Sequence, residues 1–316
     1  MRKRFDPGHG AECLRIPHCH SIVPPHAKVM AVRQSDSSGA ARRANEPSSL
    51  LAIDIGNTNT VFGVYADGRL VQHWRVETDA GRTVDEHAVL LRGLLGPDAL
   101  RTLHGGAMSC VVPALSEVLR AVCRQHLGFD LLVIEPGVRT GMPILYETPL
   151  TLGSDRLVNA VAAFERTRGA TIVVDFGTAT KIEYVTPAGA YAGGVICPGV
   201  RIAGEALFAG AARLSAVALQ RPPHVVGRTT EQALQSGLLF GHIATVDGLV
   251  RRIQRENAVD AHVIATGGLC GVLADASETI REVDEFLTLD GLRVIYSRNS
   301  GGARKAPRRR DPSAVS

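Results

Sequence analysis

Residues 54–69 read DIGNTNTVFGVYADGR, and residues 175–191, which begin 121 positions later, read DFGTATKIEYVTPAGAY. In both stretches a short apolar run leads to an Asp, a Gly follows two positions on, and hydroxyl or amide side chains come next. A second Gly closes each unit 14 positions after the Asp, at Gly68 and Gly189. Because short branched apolar runs are typical of buried strands, each copy predicts a strand, a tight turn and a second strand. The repeat therefore predicts two similar domains.

The residue types in the repeat favour phosphate binding. An Asp at the end of a buried strand projects from the sheet edge into a cleft, and the Gly two positions later lets backbone amides approach a phosphate. A carboxylate beside phosphates needs a cation between them, so Asp54 and Asp175 each indicate a metal ion or a hydrated cation. The alternative is that each Asp only forms an Asx turn. Two copies with the same spacing favour the phosphate interpretation.

Composition narrows the class of protein. The chain has 316 residues, of which 45% are hydrophobic and 21% charged, which is typical of a globular protein with two domains. It contains no apolar run near the roughly 18 residues of a membrane-spanning helix. The whole chain has a net charge of +4. Residues 1–49 hold 8 basic and 4 acidic side chains, and residues 298–316 hold 6 basic and 1 acidic. The part of the chain between these two ends therefore carries a net charge of −5. We therefore expect neither a nucleic-acid surface nor a membrane span.

Cysteine usage bears on the compartment. The six cysteines are scattered along the chain and form no CxxC pair. This pattern favours free thiols in a reducing cytoplasm over a disulfide framework. Residues 13–20, CLRIPHCH, fit no standard zinc spacing, so a metal site there is disfavoured. The protein is predicted to be cytoplasmic.

The chain divides into four regions. Residues 1–49 show no sustained period and no secretory core, which predicts a disordered extension or a wrongly assigned start, with a transit peptide as the weaker alternative. Residues 50–155 predict the order β-β-β-α-β-α-β, with Thr83 capping the first helix. Residues 156–299 open with a helix and repeat the hairpin pattern. Residues 300–316 predict a basic, solvated tail, with nonspecific anion binding as the alternative.

The second domain carries two further features. A long helix is expected from Thr229 or Thr230, where TTEQ resembles a capping box. Close packing along this helix is expected from three glycines: Gly237, Gly241 and Gly248. A strand over HVIAT then leads to Gly267 and Gly268, where the backbone could meet an adenine or a ribose.

The expected fold class is α/β, with two ribonuclease H-like βββαβα domains and a nucleotide cleft between them. This arrangement describes the superfamily of actin, sugar kinases and heat-shock ATPases. Within it, residues 50–299 resemble the type III pantothenate kinases. The resemblance is carried by several motifs in the expected order: DIGNTNTVFGV, YETPLTLGSDR, DFGTAT, GGVICPGV and GRTTEQALQSGLLFG.

This resemblance implies a reaction. The family uses ATP to phosphorylate the primary hydroxyl of pantothenate to 4'-phosphopantothenate, the first step of coenzyme A biosynthesis. Asp155, in GSDR, matches the family's catalytic base, and its alternative is an ordinary helix cap. The resemblance places further residues at substrate contacts: Tyr146, Gly153, Ser154, Arg156 and Thr230. Arg156 would hold a carboxylate or phosphate through its forked donors, while Thr230 has the alternative of a helix cap.

The resemblance also implies the cofactors. ATP would be bound by residues of both loops: Asp54, Ile55, Gly56, Asn57, Thr58, Asn59, Thr60, Val61 and Thr178. Asp54 would orient hydrated Mg²⁺. Asp175 matches the position at which the family holds a monovalent cation, K⁺ or NH₄⁺, and its oxygen donors suit such a hard ion. The family resemblance further implies a homodimer in which the second domains pair.

The chain departs from the family just after the second loop. The family usually continues GTAT with Thr and, two positions later, with Asp, whereas this chain has Lys181 and Glu183. Glu183 keeps the negative charge. Lys181 adds a cation that reinforces phosphate binding, displaces the monovalent cation or points away, and the sequence does not choose among the three.

Two other functions are weighed against an active kinase. One is a catalytically silent family member that acts as an accessory or regulatory protein. The intact set of Asp54, Asp155, Arg156 and Asp175 argues against it. The other is a superfamily phosphatase or a kinase for another small alcohol, which a substrate panel would separate.

Overall fold

Each copy of the repeated hairpin begins a five-stranded sheet. The computed structural model describes residues 49–211 and 214–300. In the first sheet the strands lie in the order β3-β2-β1-β4-β5. Their bounds are β1 (Ser49–Ile55), β2 (Asn59–Ala66), β3 (Arg69–Glu77), β4 (Leu103–Cys110) and β5 (Leu131–Val133).

The second sheet repeats this topology in the order β10-β9-β6-β7-β8. Its strands are β6 (Thr171–Phe176), β7 (Ala179–Val185), β8 (Tyr191–Pro198), β9 (His262–Thr266) and β10 (Glu282–Val283). In both sheets the first three strands are antiparallel, and the fourth pairs in parallel with the first. The predicted duplication and α/β fold class are confirmed.

Eight α-helices lie in the described residues. They are α1 (Val84–Thr102), α2 (Pro113–Val122), α3 (Ser154–Thr167), α4 (Val200–Gly210), α5 (Thr230–Ser236), α6 (His242–Glu256), α7 (Cys270–Leu273) and α8 (Leu287–Ser300). Thr83 caps α1 in a complete capping box with Glu86, as predicted. The backbone of α1 kinks at Gly96, which has φ 69° and precedes Pro97. A π-helical turn joins α5 to α6, so the predicted long helix is continuous.

Strand β4 lies earlier in the chain than expected. The sequence SCVVP predicts a strand over residues 109–113, but the strand begins at Leu103 and ends at Cys110. Glycines permit the tight packing on both sides of it. A side chain at Gly105 would collide with the ring of Tyr296 on α8, and one at Gly106 would meet the carbonyl oxygen of Leu51 at 2.9 Å. Packing against α8 and β1 therefore decides where this strand runs.

The close packing predicted for three helix glycines is wrong within the described residues. A Cβ atom added at any of them would meet nothing within 4 Å: Gly237, Gly241 and Gly248. The buried face of the same helix is formed instead by Leu239, Ile243, Val246 and Val250, which pack in the core of the second sheet. The glycines lie outside that buried face.

The last described helix returns to the first half of the chain. Helix α8 packs against β1, β4 and α3. The closest approach is at Gly291, where a Cβ atom would lie 2.3 Å from the carbonyl oxygen of Val158 on α3. Helices α3 and α8 thus contribute to one hydrophobic cluster together with residues of both sheets. This shared cluster fixes the start of α3, which carries Asp155, relative to the two loops.

Some predictions fall partly or wholly outside the described residues. The predicted N-terminal extension lies outside the described residues except for Ser49, which begins β1. The predicted C-terminal tail lies outside them except for Ser300, which ends α8. Residues 13–20 lie outside them entirely. The four cysteines that are described, Cys110, Cys123, Cys197 and Cys270, are free thiols. Within the described residues one helix, Thr230–Glu256, is long and apolar enough to span a membrane by length and composition. Its apolar side chains are already packed in the second core.

Candidate active site

Three aspartates lie close enough for their charges to interact. Asp54 lies at the end of β1 and Asp175 at the end of β6, while Asp155 is the second residue of α3. Burial raises the pKa of Asp54 to about 7, and the charges of Asp155 and Asp175 add to this effect. Burial also raises the pKa of Asp175. The site therefore concentrates negative charge and favours a cation.

The two predicted phosphate loops contact each other directly. Thr58 Oγ1 and Thr178 Oγ1, which are 120 residues apart in sequence, share a hydrogen bond of 2.9 Å. Both side chains are exposed at the loop tips, as are those of Asn57 and Asn59. A glycine amide closes each loop. The amide of Gly56 donates to the carbonyl oxygen of Asn59, and the amide of Gly177 donates to the carbonyl oxygen of Ala179. Hydroxyl and amide groups from both domains are thus directed to one place.

Not every residue of the first loop presents its side chain. Ile55 is buried, and Val61 is half-buried on β2. Thr60 is buried and shares a hydrogen bond of 2.9 Å with Thr78, whose hydroxyl donates to the carbonyl oxygen of Gly56. Thr60 and Thr78 therefore stabilise the loop through hydrogen bonds. Thr78 was not predicted, and its hydroxyl could have been found only from the register of β2 against β3.

Asp155 is held by its neighbours and does not cap α3. The N-cap position is Gly153, and no side chain caps the helix. A Cβ atom at Gly153 would lie 2.7 Å from Asp155 Oδ1, so the glycine makes room for the carboxylate. Ser154 Oγ shares a hydrogen bond of 3.0 Å with Ser109, which lies beside Asp54 in the register of β4 against β1. The cap alternative for Asp155 is therefore wrong.

Lys181 does not point away from the site. It lies on β7 directly opposite Asp175 in the antiparallel register. Its Nζ lies 2.8 Å from Asp175 Oδ2 and also donates to Asp155 Oδ2. Burial lowers the pKa of Lys181, but the two carboxylates outweigh it, so the net pKa is raised and the ammonium stays charged. One side chain therefore links the predicted base to the second loop.

Arg156 and Glu183 form a buried ion pair. Arg156 Nε donates to Glu183 Oε1 at 2.7 Å, and Nη2 donates to Oε2 at 2.9 Å, which is the bidentate geometry. Their side chains are only 8% and 1% exposed. Tyr191 also donates to Glu183, and the ring of Tyr146 lies 5.8 Å from the Arg156 guanidinium carbon. Two donors of the predicted substrate fork, Nε and Nη2, are thus already used by Glu183.

Thr230 lies apart from these contacts. The N-cap of α5 is Thr229, whose hydroxyl accepts from the amide of Gln232 at 3.1 Å. The Gln232 side chain accepts from the amide of Arg228, so the predicted box is not reciprocal. Thr230 is the exposed first residue of the helix, and its cap alternative is wrong. Within the described part of the chain, no hydrogen bond joins Thr230 to Asp155 or Arg156.

Two sheets of the same topology, each with a hydroxyl-rich loop after its first strand and with carboxylates near both loops, define a duplicated α/β protein with a candidate phosphate site. A model of the type III pantothenate kinase family matches residues 50–252. The chain belongs to the type III pantothenate kinase family.

Curated relatives agree with this placement, and a solved structure shares the fold. The chain is 49% identical over 253 residues to the type III pantothenate kinase of Myxococcus xanthus, and this match covers 79% of this chain and 98% of that protein. It is 50% identical to the type III pantothenate kinase of an Anaeromyxobacter species, and the match covers 79% of this chain and 99% of that protein. A crystal structure described as a putative Baf family transcriptional activator from Campylobacter jejuni covers 79% of this chain and 98% of its own, with TM-score 0.51 and 21% identity. That likeness shows the fold alone.

Proposed function

We propose that this protein transfers the γ-phosphoryl group of ATP to the primary hydroxyl of pantothenate and forms 4'-phosphopantothenate, the first step of coenzyme A biosynthesis. The observation that carries the proposal is the meeting of Asp155 with the two phosphate loops in a member of this family. The family membership supports the substrate, and the site supports the chemistry.

The reaction divides naturally among the residues of the site. Phosphoryl transfer needs an alcohol in line with the γ-phosphorus, neutralised phosphate charge and a group that takes the hydroxyl proton. Asp155 is the proposed base because its carboxylate, at the start of α3, pairs with Lys181 just after the second loop and its charge acts on Asp54 at the first. The hydroxyl oxygen then bonds to the γ-phosphorus as the bond to ADP breaks. Asn57, Thr58 and Thr178 are proposed to donate to the phosphates.

The residues of the site fit Mg²⁺. In kinases this ion usually binds through one or two carboxylates, waters and the substrate phosphates, without an all-protein cage. The buried carboxylate of Asp54, whose pKa is raised to about 7, is such a ligand, because a divalent cation would offset its burial. When bound, Mg²⁺ supplies charge neutralisation on the phosphates. Asp54 would orient it through water.

The residues do not fit a free monovalent cation in the same way. The resemblance assigns K⁺ or NH₄⁺ to Asp175, but the Lys181 ammonium already lies 2.8 Å from Asp175 Oδ2. The proposed reaction therefore includes no step that depends on such an ion. Substrate binding is proposed for Tyr146, Gly153, Ser154, Arg156 and Thr230, with Arg156 acting through Nη1.

The function is tested by a coupled assay of ADP release. Purified full-length protein with ATP and Mg²⁺ is expected to release ADP on addition of pantothenate. It should respond far less to a panel of other small alcohols such as glycerol, glucose and N-acetylglucosamine. Response to a different alcohol would reassign the substrate. No response to any alcohol would contradict the kinase proposal and favour an accessory role.

A homodimer is part of the proposal. Large apolar side chains are exposed on the second domain: Ile196, Ile202, Leu207, Val225 and Val226. A second copy pairing through this domain would cover them. Sedimentation velocity of the full chain is expected to show a dimer, and a strictly monomeric active enzyme would contradict it. We place the reaction in the cytoplasm, in keeping with the free thiols of the described residues.

A further inference from the structure

Lys181 stands out among the charged residues of the site. It is the only lysine in the sequence between residues 49 and 300. Its side chain is 18% exposed, and those of its partners Asp155 and Asp175 are 16% and 14% exposed. A lysine ammonium carries three donors, and two of them are used by these carboxylates. Among the described residues, no further hydrogen-bond partner of this ammonium is found.

Charge balance explains why a cation belongs at this position. The carboxylates of Asp155 and Asp175 share the Lys181 ammonium, and that of Asp54 lies close enough for their charges to act on it. ATP brings further negative charge to the same place. A buried carboxylate without a compensating charge is strongly disfavoured, so Asp175 requires a positive neighbour for the nucleotide to bind beside it. Lys181 supplies one positive charge through donors to oxygen, as NH₄⁺ would.

We propose that the Lys181 ammonium is the built-in monovalent cation of this kinase, which replaces a free K⁺ or NH₄⁺ beside Asp175 and positions Asp155. Lys181 is thus a positioning residue in the proposed phosphoryl transfer, and the inference rests on that proposed function. It accounts for the departure of this chain from the family at the residue after GTAT. The consequence is that turnover does not depend on added K⁺.

The position of the lysine makes the proposal testable by one substitution. Lys181→Thr restores the residue that the family usually carries there, and it exchanges a long cationic side chain for a short hydroxyl. This leaves space beside Asp175 for a free ion. Lys181→Met keeps most of the side-chain length but removes the charge, so it leaves no such space. The matched control is Arg281→Gln, which removes one positive charge from an exposed ion pair with Asp260 in the same domain.

The first readout is turnover in potassium-free choline chloride and in KCl, NH₄Cl or NaCl at equal ionic strength. Wild type and Arg281→Gln should have the same kcat in all four, within about twofold. Lys181→Thr should lose about 10- to 100-fold in choline chloride, the range expected for losing hydrogen bonds to a charged group. KCl or NH₄Cl should restore most of this loss. Lys181→Met should lose activity that no salt restores.

The second readout does not need turnover. The melting temperature of each full-length variant is measured in choline chloride and in KCl, with and without a non-hydrolysable ATP analogue. Lys181→Thr is expected to gain a stabilisation specific to K⁺, and wild type to gain none. This readout still decides the role of Lys181 if the protein proves inactive towards pantothenate.

Two results would overturn the inference. One is a wild-type enzyme that K⁺ activates about tenfold or more, since the ion would then bind despite the lysine. The other is a Lys181→Thr variant with wild-type turnover in choline chloride and no K⁺-specific change in melting temperature. In that case the lysine would be no more than a structural ion-pair partner.

Discussion

Replacing Asp155 with asparagine is expected to lower kcat by about 10²- to 10⁴-fold, the range for removing a general acid or base. The amide cannot take the proton of the attacking hydroxyl, although it has nearly the same shape and keeps an oxygen that can accept from Lys181. The measurement is kcat and KM for pantothenate. Because the loss arises in the transition state, kcat should fall much more than KM rises.

The fold of this variant should survive. Lys181 keeps its ion pair with Asp175 in this variant, and a negative charge in the first turn of α3 is worth only about 0.3–1 kcal/mol through the helix dipole. The melting temperature should therefore change by only a few degrees. The matched control is Asp260→Asn on an exposed side chain, which should keep wild-type kcat. A kcat for Asp155→Asn within tenfold of wild type would show that another group takes the proton.

Replacing Glu183 with glutamine is expected to cost about 3–5 kcal/mol of unfolding free energy, the range for breaking a buried ion pair. The change leaves the Arg156 guanidinium charged in a buried place with a neutral partner, and it weakens the acceptor for Tyr191. Urea unfolding at pH 7 measures the loss. The matched control is Glu256→Gln at the exposed end of α6, which should change stability by less than about 0.5 kcal/mol.

A second variant separates the lost pair from a general disturbance of the core. Glu183→Gln combined with Arg156→Met removes both charges, so the double variant should recover part of the stability that the single change loses. A loss below about 1 kcal/mol for Glu183→Gln would contradict the assignment of this pair as a major stabilising contact.

The duplicated topology could be predicted from sequence because its signals are local. Each copy of the hairpin carries its own apolar run, turn glycine and closing glycine, so both sheets and the confirmed helix cap at Thr83 follow from short segments. The position of β4 could not be predicted in the same way. Its glycines disfavour a strand by propensity, and they are explained by the approach of Tyr296 to Gly105 and of the Leu51 carbonyl oxygen to Gly106.

In the candidate site, too, local motifs could be predicted from sequence, whereas contacts between separate elements could not. The motifs around Asp54, Asp155 and Asp175 predicted three carboxylates in one site, and in the structure the charges of Asp155 and Asp175 act on Asp54. Sequence could not choose among the roles of Lys181, because its partner Asp155 comes from a different element 26 residues away. It also left the pairing of Arg156 with Glu183 unseen, since nothing local to either residue specifies the other. Contacts between elements were missed for this one reason.

The most direct test of the account is a single-turnover experiment with enzyme in excess over ATP, in potassium-free buffer with Mg²⁺ and pantothenate. Mass spectrometry identifies the product. The account predicts one 4'-phosphopantothenate for each ATP consumed by the wild type, and none above background on the same timescale for Asp155→Asn. ATP consumption that does not depend on pantothenate, or wild-type protein that forms no phosphopantothenate, would contradict it.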